Sequence, residues 1–199
     1  MEVARENALC EAIERHVWAS WWDDSEVGHH SRVVNFTNLS PGELLLLDLE
    51  KHTSIDFVTE IRTWCEEKDR VVIIYLAFLN SVGVVSGGAC GKRDNIEGIR
   101  YRAIAELLRH GLAASRLQNS SADNLTFYEK RLRYFAQTRE GTELVKMRLR
   151  NQGSKSVTFP HLKFDTAVPH SLSELVAVHR CHFENQPEFV GGELERLCL

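Results

Sequence analysis

Several features that would assign a protein to a class at once are missing from this 199-residue sequence. No apolar run reaches the roughly 18 residues that a membrane-spanning helix needs, because Asn80 interrupts the longest run, residues 71–85. There is no internal repeat, no low-complexity tract and no apolar segment at the start typical of an export signal. The five cysteines are odd in number and scattered, so we expect reduced thiols in a cytosolic compartment.

The charge of the chain is small in total but unevenly distributed. The hydrophobic content of 43% and charged content of 26% are typical of a soluble globular protein and exclude a largely disordered chain. The net charge is −4, which by itself predicts no nucleic-acid affinity. Residues 1–91 carry a net −8, residues 92–150 a net +6 and residues 151–199 a net −2. This asymmetry favours an anionic partner for the middle segment, although an uneven solvated surface explains it equally well.

The first half of the sequence reads mainly as helix. Residues 2–22 form an amphipathic pattern, and Ser40–Glu43 has the Ser, Pro and Glu spacing of a helix start. A second start at Thr53 or Ser54 predicts a helix over about 55–68. The apolar segment Val71–Phe78 would suit a strand or a buried helix, and we predict a helix because its neighbours look helical. Residues 83–91 contain four glycines and are predicted to form a loop.

The second half contains the clearest helical pattern, over residues 94–118, with one continuous stripe of Ile, Leu and Ala. Asp123 is placed to cap a following helix through Thr138, and a short helix ends near Arg150. Residues 157–166 read as extended, and a last helix is predicted from Ser171 to about His182. Together these elements predict a mainly α fold with a helical-bundle core.

The glycine-rich segment Ser86–Arg93 lies between an apolar run and a helix, which is the context of a phosphate-binding loop. It departs from that motif at Ser86, where a Gly is needed, and at Arg93, where a Ser or Thr hydroxyl would bind Mg²⁺. The pattern therefore favours a flexible turn with exposed cations over a nucleotide site.

A cluster of metal-ligand residue types occurs near the C-terminus. His179 and His182 would share a helix face beside Cys181, yet the sequence has no tight ligand pair of the kind that structural zinc sites use. A nucleophilic role for Cys90 or Cys181 would need a base that the sequence does not place. The sequence therefore predicts half-buried helix residues here, with no catalytic residue, no metal, no cofactor and no enzymatic activity.

Cations and aromatic residues alternate in the basic middle segment. Arg102, Arg109 and Arg116 are seven residues apart, so they form a stripe along the predicted helix. Phe127–Phe135 interleaves aromatic rings with three cations, a combination that holds single strands without sequence preference, although core rings with extended cations would look the same. The predicted RNA-binding residues are Lys92, Arg93, Arg102, Arg109, Arg116, Arg131, Lys146, Arg148 and Arg150.

Three segments carry a family resemblance: Asp123–Phe127, Leu132–Ala136 and Phe159–Asp165. In order and approximate spacing they resemble the coat proteins of flexuous filamentous plant viruses, especially those of trichovirus-, vitivirus- and closterovirus-like agents. The resemblance covers under a third of the chain. It implies an all-helical core, a groove for single-stranded RNA and helical polymerisation. It also implies a buried ion pair between Arg133, which matches the motif arginine, and Asp165, which matches the motif aspartate.

These observations predict one helical domain over residues 1–199, with an acidic N-terminal lobe (1–91), a basic RNA-facing segment (92–150) and a C-terminal lobe (151–199). The predicted function is a structural capsid protein, a viral nucleoprotein of the virion and host cytoplasm. It would bind single-stranded RNA without sequence preference and polymerise with itself into a filament, with no membrane partner.

Two other functions are compatible with the sequence. One is a non-enzymatic helical interaction or regulatory protein that binds a protein partner through an exposed Trp18, Trp21 and Trp22 cluster. The other is a small enzyme that uses the loop over residues 83–92.

Overall fold

A computed structural model describes residues 2–80, 82–150, 153–169, 177–184, 186 and 197. Its helices are α1 (Glu2–Asp23), α2 (Leu46–His52), α3 (Ile96–Leu117), α4 (Phe127–Gln137) and α5 (Arg139–Arg150). Its strands are β1 (His30–Val33), β2 (Ile55–Cys65), β3 (Arg70–Leu79), β4 (Gly83–Lys92), β5 (Leu162–Ala167) and β6 (His179–Phe183). No helix in the described ranges is long and apolar enough to cross a bilayer.

The first four strands form one antiparallel sheet in the order β1-β2-β3-β4. Short turns connect β2 to β3 and β3 to β4, whereas α2 lies between β1 and β2. Asp69 and Asn80 occupy these turns with positive φ angles of 48° and 49°, a backbone region that Asp and Asn tolerate better than most residues. Strands β5 and β6 form a separate two-stranded sheet, and β6 packs against α1.

Helices cover both faces of the large sheet. Alternate side chains of a strand point to opposite faces, and β3 is buried along nearly its whole length. The residues that pack with α1 on one face are Val72, Ile74, Leu76 and Phe78. The residues that pack with α2 and α3 on the other face are Val71, Ile73, Tyr75, Ala77 and Leu79. The molecule thus has a helix–sheet–helix arrangement.

The prediction of a mainly α helical bundle is wrong, because a four-stranded and a two-stranded sheet are present. Strand β2 replaces the helix predicted over residues 55–68, and β3 replaces the buried helix predicted over Val71–Phe78. Strand β4 replaces the loop predicted over residues 83–91, so the phosphate-loop context of that segment is absent as well. A central strand covered by helices on both faces is apolar at every position, and this removes the alternation that identifies most strands.

The glycines of β4 allow helices to lie directly against this strand. A Cβ atom on Gly83 would lie 2.0 Å from the carbonyl oxygen of Ala136 in α4. A Cβ atom on Gly87 would lie 2.2 Å from the backbone nitrogen of Leu107 in α3. Because backbone atoms cannot yield as a flexible side chain can, these glycines serve close packing and not a flexible loop.

Several predicted helices are confirmed. Helix α1 matches residues 2–22, and α3 matches residues 94–118 closely. The predicted start at Ser40 begins a short 3-10 turn, Pro41–Glu43, with a complete capping box.

The helix predicted through Thr138 is confirmed as α4, which ends at Gln137, and the short helix predicted to end near Arg150 is confirmed as α5. Other details of the second half differ from the prediction. Thr126, rather than Asp123, caps α4. The extended segment near 157–166 becomes β5, while β6 replaces the end of the helix predicted through His182; the start of that helix at Ser171 lies outside the described residues.

A buried carboxylate, that of Glu60 on β2, connects the sheet to the helical layer beside it. Its side chain is only 2% exposed. It accepts hydrogen bonds from Arg32 Nη2 at 2.7 Å on β1, Arg62 Nη2 at 2.7 Å, Tyr75 Oη at 2.7 Å on β3 and Arg100 Nε at 3.0 Å on α3. Arg32 and Tyr75 are its direct cross-strand neighbours, so the sheet register itself assembles the cluster.

A second buried carboxylate, that of Glu43, joins the same cluster. It pairs with Arg32, lies 3.0 Å from the Tyr75 hydroxyl and accepts the backbone N–H of Ser40 at 2.9 Å. Burial alone would raise the pKa of Glu60, but the hydrogen bonds from Arg32 and Tyr75 and the charge of Arg100 outweigh it and lower that pKa to about 2. Both carboxylates therefore act as fixed anions that hold β1, β2, β3, α3 and the 3-10 turn together.

We expect Glu60→Gln to destabilise the protein by about 3–5 kcal/mol at pH 7, because three guanidinium groups lose their shared buried anion. The lowered pKa means that the stabilisation is complete above pH 4.5 and is lost as the pH falls toward 2. The difference in the free energy of unfolding between wild type and Glu60→Gln should therefore shrink as the pH falls across that range. Urea unfolding followed by circular dichroism measures it, with exposed Glu50→Gln on α2 as the matched control. Equal stability of Glu60→Gln and wild type at pH 7 would contradict this account.

Candidate functional site

A large cavity lies between α1, the outer edge of β4, α3 and the start of α4, and we name it the edge cleft. Its volume is about 820 Å³, within the range of about 300–1,000 Å³ typical of ligand pockets. The polar and aromatic residues that line it are Asn7, Glu11, Glu14, Arg15, Arg102, Glu106, Arg109, Phe127, Tyr128 and Arg131. Cys10, Cys90 and the backbone of Gly88 form part of its wall.

The floor of the edge cleft is the outer edge of β4, which among the described residues is hydrogen-bonded by α3 side chains in place of a further strand. Arg102 Nη2 donates to the carbonyl of Cys90 at 2.8 Å, and the N–H of Gly88 donates to Glu106 Oε2 at 3.2 Å. His110 Nδ1 donates to the carbonyl of Ser86 at 2.7 Å. Successive members of this set are four residues apart on α3 and therefore lie on one helix face. That face provides hydrogen-bond partners for the backbone of every second residue of the edge strand.

One end of the edge cleft carries exposed aromatic rings from the first turn of α4. The rings of Phe127 and Tyr128 are 38% and 41% exposed. The guanidinium of buried Arg131 lies 4.7 Å from the centre of the Phe127 ring, and the Tyr128 hydroxyl donates to His110 Nε2 at 2.6 Å. Burial lowers the pKa of His110, so its ring is neutral near pH 7 and can accept this bond. Both side chains are thus held in place while remaining partly exposed to solvent.

A carboxyl group with a raised pKa, that of Glu14, lies in the edge cleft. Burial, together with the nearby charges of Glu106 and Glu11, raises this pKa to about 8, against the opposing effect of Arg15 and Arg102. Glu14 is therefore mostly protonated at pH 7. The remaining glutamates of the cleft are paired, Glu11 with Arg15 and Glu106 with Arg109, which leaves an excess of positive charge.

Three of the nine predicted RNA-binding residues line this cleft: Arg102, Arg109 and Arg131. Arg116 is exposed in the last turn of α3, outside the cleft lining. Lys92 and Arg93 lie at the end of β4, where Arg93 contacts Glu66 at 3.6 Å and the Trp64 ring at 4.8 Å. Lys146, paired with Glu143 at 3.1 Å, and exposed Arg150 lie on α5. The structure thus brings part of the predicted set together and leaves the rest apart.

Arg148, also in the predicted RNA-binding set, is buried and serves the fold. Its residue surface is 6% exposed, and its guanidinium donates to the carbonyls of Trp21 and Asp24, the latter at 2.7 Å. These carbonyls lie at the end of α1, where a cation complements the helix dipole. Arg148 therefore fastens the end of α1 to α5.

The predicted ion pair between Arg133 and Asp165 is not formed. Arg133 Nη1 donates to the carbonyl of Ser120 at 2.8 Å. Asp165 instead accepts from Arg5 Nε at 2.9 Å and from His179 Nε2 at 2.7 Å. The small sheet places Asp165 against the first turns of α1, whereas Arg133 on α4 faces the segment that follows α3.

The tryptophan cluster proposed as an exposed protein-binding anchor lies in the core. Trp18 and Trp21 are 0% and 1% exposed, and their ring centres are 4.9 Å apart. Trp22 is half-buried and packs edge-on against Phe135 at 5.8 Å. Trp18 and Trp21 are therefore not available at the surface to bind a protein partner, and the cluster does not support the alternative function.

Sequence reasoning missed the contribution of α1 to the cleft, above all that of Glu14. Glu14 lies four residues after Cys10 and beside Ile13, at the border of the apolar face of α1. This position was the signal in the sequence that Glu14 could be partly buried. What it faces could not be read from the sequence, because α3 is distant along the chain.

The chain matches no protein-family model, no curated protein and no solved structure. A functional assignment therefore depends on the chemistry of the site.

We expect Glu14→Gln to stabilise the protein at high pH. The raised pKa means that ionised Glu14 is unfavourable in the folded state, so wild-type stability falls as the pH rises from about 4.5 to about 8. Glutamine resembles the protonated form, and we expect a gain of about 3–5 kcal/mol at pH 9 and almost none at pH 4. Thermal unfolding at both pH values tests this, with exposed Glu26→Gln as the control. A gain that is the same at pH 4 and pH 9 would exclude the proposed environment.

Proposed function

We propose that this protein binds single-stranded RNA without sequence preference in the edge cleft. The observation that carries the proposal is the convergence of Arg102 and Arg109 with exposed Phe127 and Tyr128 in one cavity, whereas Arg131 is 1% exposed and lies against the Phe127 ring, out of reach of a phosphate. Cations that contact phosphates beside rings that stack on bases form the usual surface for unspecific single-strand binding.

Each group has a role in this proposal. Arg109 is the phosphate contact, because its side chain remains 74% exposed although it also pairs with Glu106. Phe127 and Tyr128 are the stacking surface for bases. Arg102 uses one N–H on the carbonyl of Cys90, which fixes its guanidinium at the cleft floor with further donors in its planar group. Protonated Glu14 adds no negative charge to oppose the RNA at pH 7.

Filament assembly, a role as a viral coat protein and a location in virions and host cytoplasm stay predictions from the family resemblance. That resemblance implies an all-helical core and an Arg133–Asp165 pair, and the chain has neither. RNA binding by the individual chain is therefore the part of the predicted function for which the site offers support.

Fluorescence anisotropy with a labelled single-stranded oligoribonucleotide tests the proposal. We expect Arg109→Ala and Phe127→Ala each to weaken binding, and the stacking loss alone corresponds to about 1–3 kcal/mol. The slope of log affinity against log salt should fall by about 0.7 when Arg109 is removed, since one phosphate contact is lost.

Arg116→Ala is the matched control, because Arg116 lies on the same helix outside the cleft lining. Its binding should stay close to that of wild type. Loss of affinity in Arg116→Ala as large as in Arg109→Ala would place the RNA along the helix surface instead. Absence of saturable binding by wild type at low salt would overturn the proposal as a whole.

A further inference from the structure

The small sheet brings together three side chains that are distant in the sequence. Strands β5 and β6 pair antiparallel, with Asp165 opposite Cys181 and Ala167 opposite His179. Residues two apart on a strand share a face, so His179 and Cys181 project to the same side as Asp165. His179 Nε2 lies 2.7 Å and Cys181 Sγ 3.6 Å from Asp165 Oδ1, and all three donor atoms lie within 4.8 Å of one another.

We propose that Asp165, His179 and Cys181 form a binding site for Zn²⁺ or a similar transition-metal ion. An imidazole nitrogen, a thiolate and a carboxylate oxygen are the three ligand types that Zn²⁺ takes in proteins. This inference does not depend on the proposed RNA binding, since none of the three residues lines the edge cleft.

The spacing of the donor atoms suits tetrahedral coordination after a small adjustment. Metal–ligand distances of about 2.0–2.3 Å place neighbouring ligand atoms about 3.3–3.7 Å apart. The sulfur–oxygen distance of 3.6 Å already fits this range. The nitrogen–oxygen distance of 2.7 Å is that of a hydrogen bond, and it would lengthen by about half an ångström as the metal replaces the shared proton. Three donors from the described residues leave a fourth position for water or another ligand.

Arg5 on α1 supports the carboxylate from outside. Its Nε lies 2.9 Å from Oδ1 and 3.0 Å from Oδ2 of Asp165, and its Nη2 makes a further contact with Oδ2. Carboxylates that bind metals are commonly oriented by such outer hydrogen bonds. Zn²⁺ balanced by one thiolate and one carboxylate is neutral, so a nearby guanidinium is not repelled by excess charge. Arg5 also connects the site to the first turn of α1.

A metal ion can reach the site, and the fold has a reason to use one. His179 and Cys181 line a cavity of about 190 Å³ beside α1, together with Glu11 and Arg15. A two-stranded sheet is only marginally stable by itself. A metal that joins β5 to β6, and through Arg5 to α1, would stabilise this sheet against the rest of the molecule.

The strand geometry also explains why the sequence analysis grouped His179 with His182 and did not include Asp165. On the predicted helix, His179 and His182 would share a face. On β6, His182 points to the opposite side from Cys181, and its ring packs near Phe164 at 6.3 Å. Asp165, which no local spacing connects to His179, takes its place in the cluster.

Cobalt titration of the reduced, chelator-treated full chain tests the proposal. We expect one Co²⁺ per chain, with a thiolate-to-cobalt charge-transfer band and tetrahedral visible absorption that Zn²⁺ abolishes by displacement. Cys181→Ser should lose the charge-transfer band, and Asp165→Asn and His179→Asn should each weaken binding at least about tenfold. The band should survive in His182→Asn and in Cys10→Ser, whose thiol lies in the edge cleft.

Thermal unfolding provides a second readout that a misfolded variant cannot imitate. Zn²⁺ at a hundredfold excess over its Kd should raise the wild-type Tm by about 5–10 °C and leave that of Cys181→Ser unchanged. Absence of stoichiometric Co²⁺ binding by folded wild type would overturn the proposal. A charge-transfer band that persists in Cys181→Ser or disappears in Cys10→Ser would also overturn it, because the thiolate ligand would then lie elsewhere.

Discussion

The arrangement of this fold depends on the buried carboxylate of Glu60. A lone anion at 2% exposure would be strongly destabilising, and hydrogen bonds from Arg32, Arg62, Tyr75 and Arg100 compensate for its lost hydration. These partners come from three strands and α3, so the anion is satisfied only when sheet and helix are both in register. A shift of β1 or β2 by one residue would turn the cluster to the wrong face and leave charges buried without partners.

The position of α3 determines in turn how the outer backbone groups of the edge strand β4 are hydrogen-bonded. Close packing at Gly87 brings the helix near enough for Arg102, Glu106 and His110 to satisfy the outer backbone groups of β4. An edge strand covered in this way cannot pair with another strand at those positions. The same face of α3 then supplies one wall of the edge cleft, so the packing that protects the edge also creates the candidate site.

The helices were predictable from the sequence and the large sheet was not. In α1 and α3 the apolar residues recur with helical spacing, because one face of each helix is buried and the other is wet. Strand β3 has no such contrast, since both of its faces are buried. In β2 the β-branched and aromatic residues Ile55, Phe57, Val58 and Thr59 were a strand signal, but the capping pattern before them favoured a helix. Glycines in β4 imitated a loop although they serve close packing.

By itself, the sequence determined the two long helices, the basic character of residues 92–150 and the presence of Arg and aromatic residues along α3 and α4. The tertiary structure decided which charges meet. Part of the charge asymmetry is neutralised by ion pairs between the acidic and basic segments, buried in the case of Glu60 with Arg100 and exposed in the case of Glu66 with Arg93. It also decided that Arg148 is buried, that Asp165 faces His179 and Cys181, and that Glu14 shares a cleft with Arg102. Each of these contacts joins residues far apart in the chain, and local spacing carries no information about them because strand pairing and helix packing alone set the distances between them.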